Sequence, residues 1–123
     1  MSKADRKKLL VVIRHTPYGS SLGRASLDVA LAMAAFDQAV DVLFMGDGVL
    51  QLLAGQDSKA IGVKNIEKLL GSLPLYDIES VYVDAAGAKR YGLDSARTPV
   101  PVTLLDAPAI NALMADADHL LGF

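Results

Sequence analysis

Apolar and polar positions alternate in blocks along the whole chain. Lys8 to Arg14 is a short continuous apolar run, the pattern of a strand buried on both faces. Leu22 to Phe36 switches to helical spacing, with Leu27, Ala30, Leu31 and Ala34 at i, i+3, i+4 and i+7. Val40 to Met45 is a second β-rich run, closed by Gly46-Asp47-Gly48, and Val49 to Leu53 reads as a short helix. Gln56 to Gly62 reads as loop. Val63 to Ser72 places Val63, Ile66, Leu69 and Leu70 on one helical face. Leu75 to Glu79 leads into a third strand, Val81 to Val83. Ala85 to Tyr91 reads as a helix stopped by Gly92 at its C-cap. After the connector Arg97-Thr98-Pro99, Val102 to Leu105 is a fourth strand. Ala109 to Ala115 is a helix with Pro108 near its first turn, and His119 to Leu121 a fifth strand.

Strand and helix in alternation predict parallel strands joined by right-handed crossovers. The expected architecture is one α/β domain over residues 1–123, a three-layer sandwich around a mostly parallel five-stranded sheet. In such sheets ligands and partners meet the carboxyl ends of the strands. Loops 14–22, 46–48 and 84–87 are therefore expected to gather on one edge.

Composition narrows the chemistry. The chain has 123 residues, 52% of them hydrophobic, enough for one sizeable core. Its surplus of small apolar residues suggests a surface covered in an assembly. The formal charge of −2 argues against a nucleic-acid grip by this chain alone. Its basic cluster, Lys3, Arg6, Lys7 and Lys8, reads as a solvated leader. The apolar run Leu9 to Ile13 is too short for a secretory core or a membrane span, so neither signal peptide nor membrane is expected. Cysteine is absent, which excludes disulfides, thiolate metal sites and any persulfide-carrying thiol in this chain.

Three catalytic patterns were weighed against plainer roles. Arg14-His15 at the end of strand one resembles the pair of histidine phosphatases, but the second arginine, second histidine and acid that they need do not gather in this sequence. His15 then reads as a polar residue at a strand exit. Thr16, Gly19, Ser20, Ser21 and Gly23 can offer backbone N–H groups to a phosphate, as in the flavin-phosphate loop of flavodoxins. No Walker-type or GxGxxG motif accompanies them, and Ser20 or Ser21 serves equally as an N-cap. Asp47, Asp77, Asp84 and Asp106 near element ends fit helix caps and turns better than a metal or phosphoryl site.

Taken in order, "PYGSS", "GDGVLQLLAGQ", "LPLYDIESVYVDAA" and "RYGLD" resemble the DsrE/DsrF-like sulfur-relay family, in its TusC-like (DsrF-like) branch, from Leu9 to Phe123. The resemblance implies a flavodoxin-like (DsrE-like) fold. It implies no cofactor and a cytoplasmic heterohexamer with TusB-like and TusD-like subunits, two copies of each. That complex passes persulfide sulfur to a TusE-like acceptor for 2-thiolation of the tRNA wobble uridine. A DsrEFH-like complex in sulfur oxidation, or a small phosphate- or flavin-binding module, are the alternatives. The position matching the family's sulfur-carrying cysteine holds Asp84. A carboxylate cannot attack and carry sulfur, so this chain is expected to be a non-catalytic subunit. The family motifs Pro17, Tyr18, Gly19, Ser20, Asp47, Gly48, Gln51, Tyr76 and Asp77 are expected at or near subunit contacts, with Tyr18 as the anchor.

Overall fold

A computed structural model describes residues 8–14, 29–30, 32–34, 39–50, 52, 70–76, 78, 80–98 and 100–122. Its strands are β1 (Lys8–Ile13), β2 (Ala39–Phe44), β3 (Val81–Asp84), β4 (Thr103–Leu105) and β5 (His119–Gly122). Helix α1 (Ala85–Tyr91) follows β3 directly, and helix α2 (Ala107–Asp116) joins β4 to β5. The strands form one sheet in the order β4-β3-β2-β1-β5, and all four pairings are parallel. The chain thus steps outward from β1 to β4, then returns so that β5 pairs with the free side of β1.

Register explains the layers. Leu9, Val11 and Ile13 sit beside Val40, Val42 and Phe44, and Val42 and Phe44 beside Val81 and Val83. This face is packed by Ala30 and Ala34 of the helical residues 29–30 and 32–34, by Val49 and Leu52, by Leu70 and Leu73, and by Ala88 of α1. The opposite face presents Leu10, Val12, Leu43, Tyr82 and Leu105. Among the described residues it is covered by α2 through Ile110, Leu113 and Met114. The continuous apolar runs Leu9–Ile13 of β1 and Val42–Phe44 of β2 are what a sheet sandwiched on both faces requires.

Element ends are set by local chemistry. The Asp84 carboxylate accepts the Ala86 N–H at 3.1 Å and starts α1, and Gly92 ends it in the left-handed conformation (φ 68°). Asp106 accepts the Ala109 N–H at 3.0 Å, and proline sits in the first turn of α2. This cap starts α2 at Ala107, two residues earlier than apolar spacing alone suggests. Residues 70–72 are helical, as expected, but Leu73–Tyr76 is a 3-10 turn rather than the approach to a strand. It closes where the Ile78 N–H reaches the Leu73 carbonyl at 3.1 Å. Gly46-Asp47-Gly48, expected as the close of β2, joins Val49 in a 3-10 turn leading into helical Leu50 and Leu52. No helix among the described residues is long and apolar enough to cross a membrane.

Candidate functional site

The carboxyl ends of β1, β2 and β3 meet at the turn after β2. The Met45 N–H donates to the Ile13 carbonyl at 3.0 Å, and the Gly48 N–H returns to the Met45 carbonyl at 2.8 Å. Gly48 lies so close to β1 that a Cβ there would stand 1.9 Å from the Ile13 carbonyl oxygen. Gly46 opens the turn at φ +50°, with nothing near its missing side chain. Two glycines two residues apart therefore serve different needs, backbone conformation at Gly46 and backbone contact at Gly48.

Helix α1 lies along the same turn. A Cβ on Gly87 would be 3.0 Å from the Val49 side chain and 3.3 Å from Asp84 Oδ2. One turn later, the Tyr91 hydroxyl donates to Asp47 Oδ1 at 2.5 Å. Gly87 and Tyr91 stand four residues apart, on one side of the helix, and together they face residues 47–49. The Tyr91 ring is half-buried against the core, with the Arg90 guanidinium 5.5 Å from its centroid. Donation to Asp47 holds the Tyr91 phenol above its ordinary pKa, helped by burial and by the Asp47 charge; Arg90 opposes this.

Of the three loops, 46–48 meets Arg14 through Gly48, and 84–87 meets the end of the same turn through Gly87 and Val49; residues 15–22 of the first loop lie outside the described residues. Asp47, Gly48 and Asp84 all lie at this edge. Asp84 is half-buried, and its carboxylate is engaged at the start of α1. Tyr76 is elsewhere: it belongs to the 3-10 turn that precedes the amino end of β3, where Leu75 is 83% and Tyr76 45% exposed. The structure therefore does not bring Tyr76 together with Asp47 and Asp84. Pro17, Tyr18, Gly19, Ser20, Gln51 and Asp77, like His15, lie outside the described residues.

Among the described residues no cluster of His, Cys, Asp or Glu is arranged to hold a metal ion. An open groove of about 510 Å³ runs between α2 and the sheet, lined by Lys8, Tyr82, Leu105, Ala109, Leu113 and Asp116 among others. At its end Lys8 Nζ pairs with Asp116 at 3.0 Å, and that bond, then the Asp116 charge, holds the Lys8 ammonium above its ordinary pKa. Of the residues singled out from the sequence it contains Lys8 of the basic cluster, which belongs to β1 rather than to a leader, and none of the candidate site residues. The Tyr91–Asp47 pairing was also missed there; its one local trace is an aromatic residue just before a C-cap glycine.

Comparison with known proteins adds to this geometry. A family model described as "DsrE/DsrF-like family" matches residues 7–123. "Protein TusC" of Escherichia coli O8 is 38% identical over 119 residues, covering 95% of this chain and 99% of that protein. "Protein TusC homolog" of Vibrio vulnificus is 35% identical, covering 94% and 98%. "Intracellular sulfur oxidation protein DsrF" of Allochromatium vinosum is 34% identical, covering 95% and 96%. The crystal structure of the ychN protein from E. coli shares the fold, with a TM-score of 0.79 at 22% identity over 95% of this chain and 99% of that one.

Proposed function

The chain belongs to the DsrE/DsrF-like family, and we propose that it is the TusC-like, non-catalytic subunit of a sulfur-relay complex. In this reading it assembles with TusB-like and TusD-like subunits, two copies of each, in the cytoplasm. The complex hands persulfide sulfur to a TusE-like acceptor for 2-thiolation of the tRNA wobble uridine. The thiolate that attacks and carries sulfur belongs to the TusD-like subunit.

One observation carries the non-catalytic part. The chain has no cysteine, and the carboxylate at the position matching the family cysteine, Asp84, is used to cap α1. Sulfur relay needs a thiolate, and no other side chain replaces it. The TusC-named relatives, matched over nearly their whole length, support the subunit type. The Allochromatium vinosum relative favours a second reading, a DsrF-like subunit in sulfur oxidation.

Co-expression of this chain with its TusB-like and TusD-like siblings, followed by native mass spectrometry, tests the assembly. A stable complex containing all three subunits is expected, with Tyr18→Ala weakening it while the chain stays folded. Persulfide loading, read by mass shift, is expected on the TusD-like subunit alone. A chain that purifies without its siblings and retains phosphate or flavin overturns the proposal.

A further inference from the structure

The motifs Gly46-Asp47-Gly48 and Arg90-Tyr91-Gly92 are far apart in sequence and bonded in space. The turn Gly46–Val49 is anchored on β1 at two points, by the Met45 N–H to Ile13 carbonyl bond and by the close approach of Gly48 to the same carbonyl. Between these two anchors lies Asp47, an exposed residue whose carboxylate accepts the Tyr91 hydroxyl. Tyr91 is well placed to hold it. Its ring packs against the core, Arg90 lies over that ring, and Gly92 fixes the backbone directly after it. Further along α1, Gly87 sits against Val49 and close to Asp84. Asp84, Gly87 and Tyr91, at i, i+3 and i+7, thus form one stripe of α1 along which the turn is laid.

We infer that Tyr91 is a positioning residue: its bond to Asp47 latches the turn after β2 onto α1, so that the turn and the segment around position 84 form one pre-assembled surface. A turn anchored on β1 but not on α1 keeps conformational freedom that it loses on binding. A latched one has already given it up. The latch is a property of the fold; that the surface faces a sibling subunit rests on the function proposed above.

The test uses the full chain as Tyr91→Phe, which keeps the ring in the core and removes the donor. Hydrogen exchange at the Gly48 and Leu50 amides, both bonded within the turn, is expected to quicken about tenfold, while the β1 and β2 amides keep their protection. Asp47→Asn, which keeps an acceptor oxygen, is expected to restrain the turn, and Asp47→Ala to release it like Tyr91→Phe. A second readout is absorbance titration of the four tyrosines. A phase above the ordinary phenol value of 10.0 is expected, absent in Tyr91→Phe and returned to the ordinary range in Asp47→Ala. Unchanged turn exchange in Tyr91→Phe, or a titration indifferent to Asp47→Ala, overturns the latch. Affinity for the sibling subunits is measured separately on Tyr91→Phe. A freed turn with undiminished affinity leaves the latch standing and removes the partner-facing role.

Discussion

Replacing Gly48 with alanine puts a methyl carbon 1.9 Å from the Ile13 carbonyl oxygen, 2.6 Å from its carbonyl carbon and 3.1 Å from the Arg14 Cα. All three are backbone atoms in or next to β1, an interior strand of the sheet, so no side chain can rotate away to make room. Either the turn lifts off β1 or the end of β1 bends. Forced overpacking of this kind costs about 1–3 kcal/mol. Lifting the turn also strains the Met45 N–H to Ile13 carbonyl bond, adding about 1 kcal/mol. A total near ~3 kcal/mol is a large share of the ~5–15 kcal/mol that keeps a domain folded. For a chain of this length it lowers the melting temperature by roughly 10 °C. Gly46→Ala is the matched control. Its new methyl meets nothing within 4 Å, and its cost is that of placing a side chain at φ +50°, about 1 kcal/mol or some 4 °C. Calorimetry at one fixed protein concentration compares the two. The reasoning fails if Gly48→Ala melts within 2 °C or so of the parent, or if Gly46→Ala is the more damaging of the pair.

Three further substitutions probe separate parts of the molecule. Asp84→Ala removes the cap of α1 and is expected to cost about 1 kcal/mol by chemical denaturation, with Asp84→Asn recovering most of it; equal losses in both would mean that capping is not its role. Ile110→Ala empties the best-buried position of α2, 5% exposed, and is expected to cost about 2–4 kcal/mol, with exchange protection falling first in α2. The Lys8–Asp116 pair is expected to contribute little, because both side chains are more than half exposed. Its sign follows from the raised Lys8 value: the contribution is complete below the ordinary 10.5 and disappears as pH climbs through the higher folded-state value. Lys8→Met is therefore expected to shift the melting temperature by less than about 2 °C anywhere from pH 6 to 9, and a larger, pH-dependent shift in that window contradicts this.

Much of the fold was legible because its signals are local. The apolar runs of β1 and β2 announce a sheet buried on both faces, and Asp84 with Gly92 brackets α1 to the residue. Boundaries moved where a cap or a tight turn outweighs periodicity. Asp106 drew the start of α2 forward, and Leu73–Tyr76 continued a helical path that its apolar letters disguise as strand. Strand order was not legible, since nothing local states that β5 returns to the side of β1. At the candidate site, Gly46 and Gly48 look alike as letters. One is required by its φ and the other by a neighbouring strand distant in sequence, and only the first kind of need belongs to the turn itself. The bond between Tyr91 and Asp47, 44 residues apart, is equally a product of tertiary packing.

The aspartates at element ends share a physical logic that bears on the proposed division of labour. Asp84, Asp94 and Asp106 each accept a backbone N–H at 3.0–3.1 Å from the helical turn that follows. A parallel sheet brings strand ends and helix starts together, so the cheapest use of a residue there is to satisfy a donor that would otherwise lack a partner. A residue that must attack and carry sulfur has the opposite need. Its thiolate has to be free to leave the backbone and meet another sulfur. The two uses compete for the same position, and in this chain capping occupies it. With the cap comes a fixed start for α1 and for the turn that lies along it.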